Sequence, residues 1–248
     1  MKIAVCVSHV PDTATRVKIA SDQKSIDPSG VSFILNPYDE YAVEEALKTK
    51  EKFGGEVVVL SVGSDKVKET IRKSLAMGVD EAIHLKTDEA LDSFAVAQAL
   101  ADEIKLLGSE LVFMGKQSVD YDNGIIGQIV AELLGFNSIS VCVTFQLEGD
   151  KVTAEREIEG GKEVVETSLP CVITAQKGLN EPRYASLKGI MTAKKKVIQE
   201  KPVGSKSALV ENIQLRMPTP KNPGRILGTD SSAVPELVKL LHEEAKVI

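Results

Sequence analysis

Glu110–Leu134, ELVFMGKQSVDYDNGIIGQIVAELL, holds one complete folding unit in order. Glu110–Met114 is a short apolar run that predicts a buried strand. A polar loop follows, and Asn123–Leu134 predicts a helix capped by Asp122 or Asn123. The same unit recurs upstream. Lys2–His9, Glu56–Val62 and Glu81–Leu85 are Val- and Ile-rich runs of strand length. Between them lie helical patterns from Asn36-Pro37 to Gly54-Gly55, from Asp65 to about Met77, and over Asp92–Leu107. Strands separated by helices imply right-handed crossovers, a parallel sheet and helices on both faces, a Rossmann-like α/β fold. Such sheets bind ligands beyond the carboxyl ends of their strands. The loops after His9, Val62 and Met114 are therefore where a ligand is expected.

The first helix is well marked. Asn36 stands as its cap, Pro37 at its first position, and Asp39 and Glu40 at the positive end of its dipole. Tyr41, Val43, Ala46 and Leu47 form its apolar stripe. Near residue 139 the pattern changes. Ile139–Gln146, Lys151–Glu157, Glu163–Ser168 and Cys171–Ala175 read as short strands, with hairpin turns at Gly149-Asp150 and Gly160-Gly161, so the sheet is expected to continue with antiparallel strands. From Gly178 the periodicity fades into a Pro- and Gly-rich arm that ends in a helix over Val234–Ala245. The division expected is a nucleotide-binding α/β domain over residues 1–177 and a partner-packing arm over 178–248.

Composition excludes several classes. The 248 residues carry a net charge of −6 and 4% aromatics with no Trp, which argues against nucleic-acid binding. No apolar run is long enough to span a membrane. Cys6, Cys142 and Cys171 are widely spaced, with no CxxC or Cys/His cluster, so no metal site is expected and a reducing, cytoplasmic compartment fits best.

The loop Gly115–Gln128 is the strongest local feature. It joins a strand to a helix whose first N–H groups can take a phosphate, and Gly124 and Gly127 would admit a ligand closely. Gly115-Lys116 is not a P-loop, because Gln117 replaces Ser/Thr, and no GxGxxG follows the first strand. Asp120 and Asp122 lack a third metal ligand. His9 at a strand end has no nucleophile partner, His84 reads as structural, and His242 as exposed. With no triad, metal box or nucleophile elbow, the residues point to a binding or carrier subunit and not to an enzyme.

Residues 155–196 carry a longer signature: EREIEGG at 155–161, LPCVITA at 169–175, and LNEPRYASLKGIMTAKKK at 179–196. With NPYDE at 36–40, AMG at 76–78, GKQ at 115–117, Asp120, Asp122 and Gly127-Gln128, this closely resembles the electron transfer flavoprotein beta subunit family. The resemblance covers essentially the whole chain. It implies an adenine nucleotide alpha hydrolase-like fold and a heterodimer with an alpha subunit that carries most of the FAD. It also implies a structural AMP in this chain, electrons taken from acyl-CoA and related dehydrogenases, and delivery to a membrane quinone oxidoreductase. By the same resemblance the AMP site falls on Cys6, Asn36, Pro37, Tyr38, Asp39 and Val62, and on Asp120, Tyr121, Asp122, Asn123, Gly124, Ile125, Ile126, Gly127, Gln128, Ile129, Val130 and Ala131. Leu187 matches the leucine that anchors a dehydrogenase, with Ile190, Met191, Lys194, Lys195 and Lys196 beside it, and Glu157 the acidic residue that orients the flavin domain. Thr13 stands where some relatives place an aromatic near the flavin.

The runner-up is an electron-bifurcating relative with a second FAD in the AMP pocket; Gln128 after Gly127 favours AMP. A nucleotide-binding signalling domain would need a glycine where Asn137 stands, and an ATP pyrophosphatase a Ser-Gly-Gly loop where Ser8-His9-Val10 stands. A eukaryotic member would work in the mitochondrial matrix, but no targeting peptide is evident.

Overall fold

The computed structural model describes residues 1–221 and 223–248. Its main sheet has nine strands. The first four sheet strands are β1 (Lys2–Cys6), β4 (Glu56–Gly63), β5 (Glu81–Lys86) and β6 (Leu111–Gly115). A short antiparallel ribbon of β2 (His9–Pro11) and β3 (Phe33–Leu35) stands apart. The helices between them are α1 (Pro37–Phe53), α2 (Lys68–Met77), α3 (Ser93–Leu107) and α4 (Ile126–Leu134). The second half adds β7 (Asn137–Glu148), β8 (Lys151–Ile158), β9 (Gly161–Ser168), β10 (Cys171–Ala175), α5 (Leu187–Lys195), β11 (Ile198–Pro202) and α6 (Val234–Leu240). Strand order is β11-β5-β4-β1-β6-β10-β7-β8-β9. All pairs from β11 to β7 are parallel, and β7-β8 and β8-β9 are antiparallel.

Parallel strands need cover on both faces, and these have it. In β1, Ile3 and Val5 face the core built with α1 and α2, while Ala4 and Cys6 face the core built with α3 and α4. The expected stripe of α1 is buried at Val43, Ala46 and Leu47, with Tyr41 packed against the same core. Asp92 caps α3 through the N–H of Ala95 at 2.8 Å.

Five expectations are corrected. The first strand ends at Cys6, not His9: Val7 still donates to Leu60, but the Ser8 N–H turns to the Asp39 carboxylate at 2.7 Å, and the ladder stops. Helix α4 begins at Ile126 with no side-chain cap. Asp122 instead accepts from Gln117 Nε2 at 2.9 Å, and the Asn123 carbonyl from the Ser118 N–H at 3.0 Å. Both lie in the loop ahead of the helix, and neither side chain caps it.

The third correction concerns β10. It does not extend the antiparallel run but returns as a parallel strand inserted between β6 and β7. A register shift in β7 lets its first half pair with β10 and its second half with β8. Val141 at the shift adopts φ +58°, a strained value for a β-branched residue, and its N–H donates to Thr174 Oγ1 at 3.0 Å. The fourth concerns the arm. Its first part is ordered into α5, which packs on α2, and β11, which pairs with β5. The stretch lying off the sheet starts near Gly204.

Where β1, β6 and α1 meet, one carboxylate joins them. Asp39, 4% exposed, accepts from the Ser8 N–H at 2.7 Å and the Gly115 N–H at 3.0 Å. The fifth correction is Asn36, expected as the cap of α1: its side chain does not cap the helix but reaches the next loop, where Nδ2 donates to Gln117 O at 3.0 Å and Oδ1 accepts from the Val119 N–H at 3.2 Å. The junction has no room at Gly115, where a Cβ would sit 2.2 Å from Asp39 Oδ1 and 2.8 Å from Tyr38 Cβ.

Gly115→Ala should therefore destabilise the protein by about 2–3 kcal/mol, through overpacking and a broken hydrogen bond, read as a lowered urea midpoint. Burial pushes the Asp39 carboxyl up to about 7, and the N–H donors pull it back only in part. A carboxyl raised on folding stabilises fully below its unfolded value and loses that contribution as pH rises to about 7. The stability of the natural protein relative to Asp39→Asn should accordingly fall between pH 4 and pH 7. Parallel curves in urea melts across that range would contradict it.

Candidate functional site

The carboxyl ends of β1, β4 and β6 open into a cavity of about 250 Å³. Cys6, Val7 and Ser8 come from the end of β1, Val62 from β4, and Met114 to Ser118 from β6 and the loop beyond it. Asp92, Ser93, Val96 and Leu100 come from the start of α3, and Asp120, Tyr121, Asn123, Ile126 and Gly127 from the loop and first turn of α4. Asp39 closes the side nearest α1.

Two helix amino ends thus face one space. The first N–H groups of α4 have no intrahelical acceptor and no side-chain cap, so an anion can take them. At α3 the corresponding end is already served: Asp92 accepts from Ala95, and also from the N–H groups of Leu209 and Val210 of the arm at 2.7 and 2.9 Å. The arm therefore crosses the start of α3. Lys116 brings a cation to the cavity, with Nζ 5.0 Å from the centre of the Tyr38 ring. Apolar Val62, Val96, Leu100 and Met114 supply a wall for a flat aromatic base.

Not every residue expected at the site lines it. Cys6, Asp39, Val62, Asp120, Tyr121, Asn123, Ile126 and Gly127 do. Asn36 acts one layer back by holding the Gln117–Val119 backbone, and Asp122 by holding the Gln117 amide. Pro37 starts α1 and Tyr38 sits beneath Lys116. Gly124, Ile125, Gln128 and Ile129 flank the cavity without lining it. Val130 and Ala131 are core residues, 0% and 1% exposed, and do not line the cavity. Gly127 is required by packing as well as by the cavity, since a Cβ there would sit 2.4 Å from Thr174 Cγ2. The sequence reading missed Asp92 and Ser93, although the Asp cap of a helix that follows a strand marks the same edge of the sheet.

The cavity's titratable groups suit binding. Burial, then the Asp39 charge, pushes the Cys6 thiol far up, so it stays protonated and is a poor nucleophile. His9 stacks on Phe33 at 4.8 Å and shares a 2.7 Å hydrogen bond between Nδ1 and Thr70 Oγ1. Burial lowers its pKa and favours the neutral ring. Elsewhere, His84 lies close to Asp65 and Glu200, a set that could hold a metal ion. Lys68 already bonds Asp65 at 2.6 Å and Glu200 at 2.7 Å, and Lys86 bonds Asp65 at 2.7 Å. Those lysines draw Asp65 down to about 2. A cation would meet two ammonium groups, so the cluster reads as an ion-pair tie between β11, β5 and the start of α2.

Away from the cavity, the segment before α5 lies on α1. Asn180 donates to Tyr41 O and Glu45 Oε2, and the Arg183 guanidinium grips Glu44 and Glu51. Beyond it Tyr184 is 99% exposed, Leu187 84% and Met191 63%, with Ile190, Lys194 and Lys195 also at the surface. Lys196 is turned the other way: its Nζ donates to Val79 O at 2.6 Å and Asp80 O at 2.9 Å. Glu157 lies exposed on β8 and accepts from Gln176 Nε2 at 2.7 Å.

A family model described as the electron transfer flavoprotein domain matches residues 24–205. The electron transfer flavoprotein subunit beta of Bacillus subtilis is 37% identical over the full length of both chains. That of Syntrophomonas wolfei is 40% identical over 90% of this chain and 88% of its own. That of Mus musculus is 36% identical over 100% and 99%. A parallel sheet with helices on both faces, a family match across most of its length and full-length relatives well above 30% identity agree: the chain belongs to the electron transfer flavoprotein family, as a beta subunit.

Proposed function

We propose that this beta subunit holds AMP in the strand-end cavity and presents α5 to acyl-CoA and related flavin dehydrogenases. The observation that carries the first part is the uncapped start of α4 opening into a space of about 250 Å³. A mononucleotide has the right chemistry for it: an anion for the α4 N–H groups and Lys116, and a flat base for the apolar wall. FAD has more than twice as many non-hydrogen atoms as AMP and calls for a larger space. The first turn of α4 would hold the phosphate, and the strand ends at Cys6 and Val62 would contact the rest through backbone.

The chain's own residues offer no redox group, because the three thiols are buried and pushed up in pKa, Cys142 and Cys171 to about 12. FAD, held mainly by the alpha subunit, supplies the one- and two-electron chemistry when bound. In this reading the beta chain positions: it docks the donor through Leu187, Ile190, Met191, Lys194 and Lys195, and Glu157 biases the flavin-bearing domain by a weak ion pair. Electrons would leave toward a membrane quinone oxidoreductase, and the setting is the cytoplasm. No helix among the described residues is long and apolar enough to cross a membrane.

Co-expression with the alpha subunit, denaturation of the purified complex and chromatography should yield one FAD and one AMP per heterodimer. Two FAD and no AMP would replace the AMP reading with a bifurcating one. Leu187→Ala should lower kcat/KM for reduction by a dehydrogenase by about tenfold, the size of a modest hot spot, with the heterodimer intact. Unchanged kinetics with several acyl-CoA dehydrogenases would remove Leu187 from the docking surface.

A further inference from the structure

Helix α5 has little to hold it by hydrophobic burial, since Ala193 is its one buried residue. Its position is set by α2 through three contacts. Gly189 lies so close to the end of α2 that a Cβ there would be 2.3 Å from the Ala76 carbonyl oxygen. Arg72, on α2, extends Nη1 to two carbonyls at the end of α5, those of Ala193 and Lys196. Lys196 answers with Nζ on the carbonyls of Val79 and Asp80, in the turn that follows α2. Arg72 therefore meets the carboxyl end of α5, at the negative pole of its dipole, and Lys196 meets the turn just beyond the carboxyl end of α2.

We propose that Arg72 and Lys196 form a reciprocal carbonyl clamp that fixes the orientation of α5, so that both are positioning residues for docking although neither faces the partner. The inference rests on the reading of α5 as the dehydrogenase-docking face. It separates the basic run at 194–196 into two roles, with Lys194 and Lys195 outward and Lys196 inward. A surface held in its bound orientation spends less free energy on ordering when the partner arrives. Loosening the clamp should thus weaken the encounter and leave the electron-transfer step within the formed complex unchanged. Neither side chain lines the nucleotide cavity, so the bound cofactors should not report its loss.

The test uses the heterodimer co-expressed with its alpha subunit, carrying Arg72→Gln, Lys196→Met or Arg72→Lys, with Leu187→Ala as a docking control. Hydrogen–deuterium exchange over residues 187–196 reads the clamp directly. Steady-state assays with an acyl-CoA dehydrogenase and its acyl-CoA read docking, and reduction by dithionite reads the flavin without a partner. Arg72→Gln and Lys196→Met should each exchange about tenfold faster in α5 and raise KM for the heterodimer about tenfold at unchanged kcat, as expected for losing a charge-assisted bond. Dithionite reduction should not change, and Arg72→Lys should recover part of both effects. Unchanged exchange in both variants overturns the clamp. Faster exchange with unchanged KM overturns the positioning role. In that event a raised KM in Leu187→Ala leaves docking at α5 standing, and an unchanged one removes the docking reading as well.

Discussion

A buried carboxylate at the first turn of α1 organises the working edge of this protein. Asp39 receives N–H groups from the ends of two neighbouring strands, β1 and β6, and so ends one ladder and aims the loop that leaves the other. Burial makes a charged group there costly, and hydrogen bonds from Asn36, Ser8 and Gly115 offset that cost only in part. Gly115 follows from this arrangement, because any side chain would enter the space the carboxylate occupies. Asn36, one turn away, holds the same loop at Gln117 and Val119. The cavity walls at Met114–Ser118 are thereby fixed by the amino end of a helix that lies on the opposite face of the sheet from α3 and α4.

The other surface of interest is built by different means. The segment before α5 is fastened to α1 by Arg183 and Asn180, and α5 itself to α2 by polar contacts and one glycine approach. Almost none of its apolar surface is spent on this. Tyr184, Leu187 and Met191 stay in solvent, a disposition that makes sense for a face used between molecules. Polar anchoring at helix ends is a way to hold a segment rigid while its apolar residues remain available.

The strand–helix alternation over residues 1–134 was legible because each run matches one period and ends at a Gly, Pro or capping residue, as at Gly78 and Asp92. Strand order was not legible. Nothing in CVITA at 171–175 distinguishes the next strand of a meander from one that returns between two earlier ones. The start of α4 was misplaced because Asp122 and Asn123 have the chemistry of caps, yet Asp122 spends its carboxylate on Gln117 and the loop runs on to Ile125 before the helix begins. Helix α5 escaped periodicity because its apolar residues face outward, and only the family signature marked LKGIMTAKK as a unit. Three consecutive lysines look alike in a sequence, and which one folds back depends on where carbonyls lie in the turn after α2.

Insertion of β10 and β11 has a consequence for how the chain is made. The β6 edge is paired by β10 only after some 60 further residues, and the β5 edge by β11 only after more than 100. A ribosome delivering the chain from its amino terminus therefore leaves two open strand edges of an apolar parallel sheet exposed for several seconds, at ~5–20 residues per second. Unpaired edges of that kind template aggregation. The charged ends of β5, Glu81 and Lys86, and the helices already laid over both faces limit what a neighbouring nascent chain can add to.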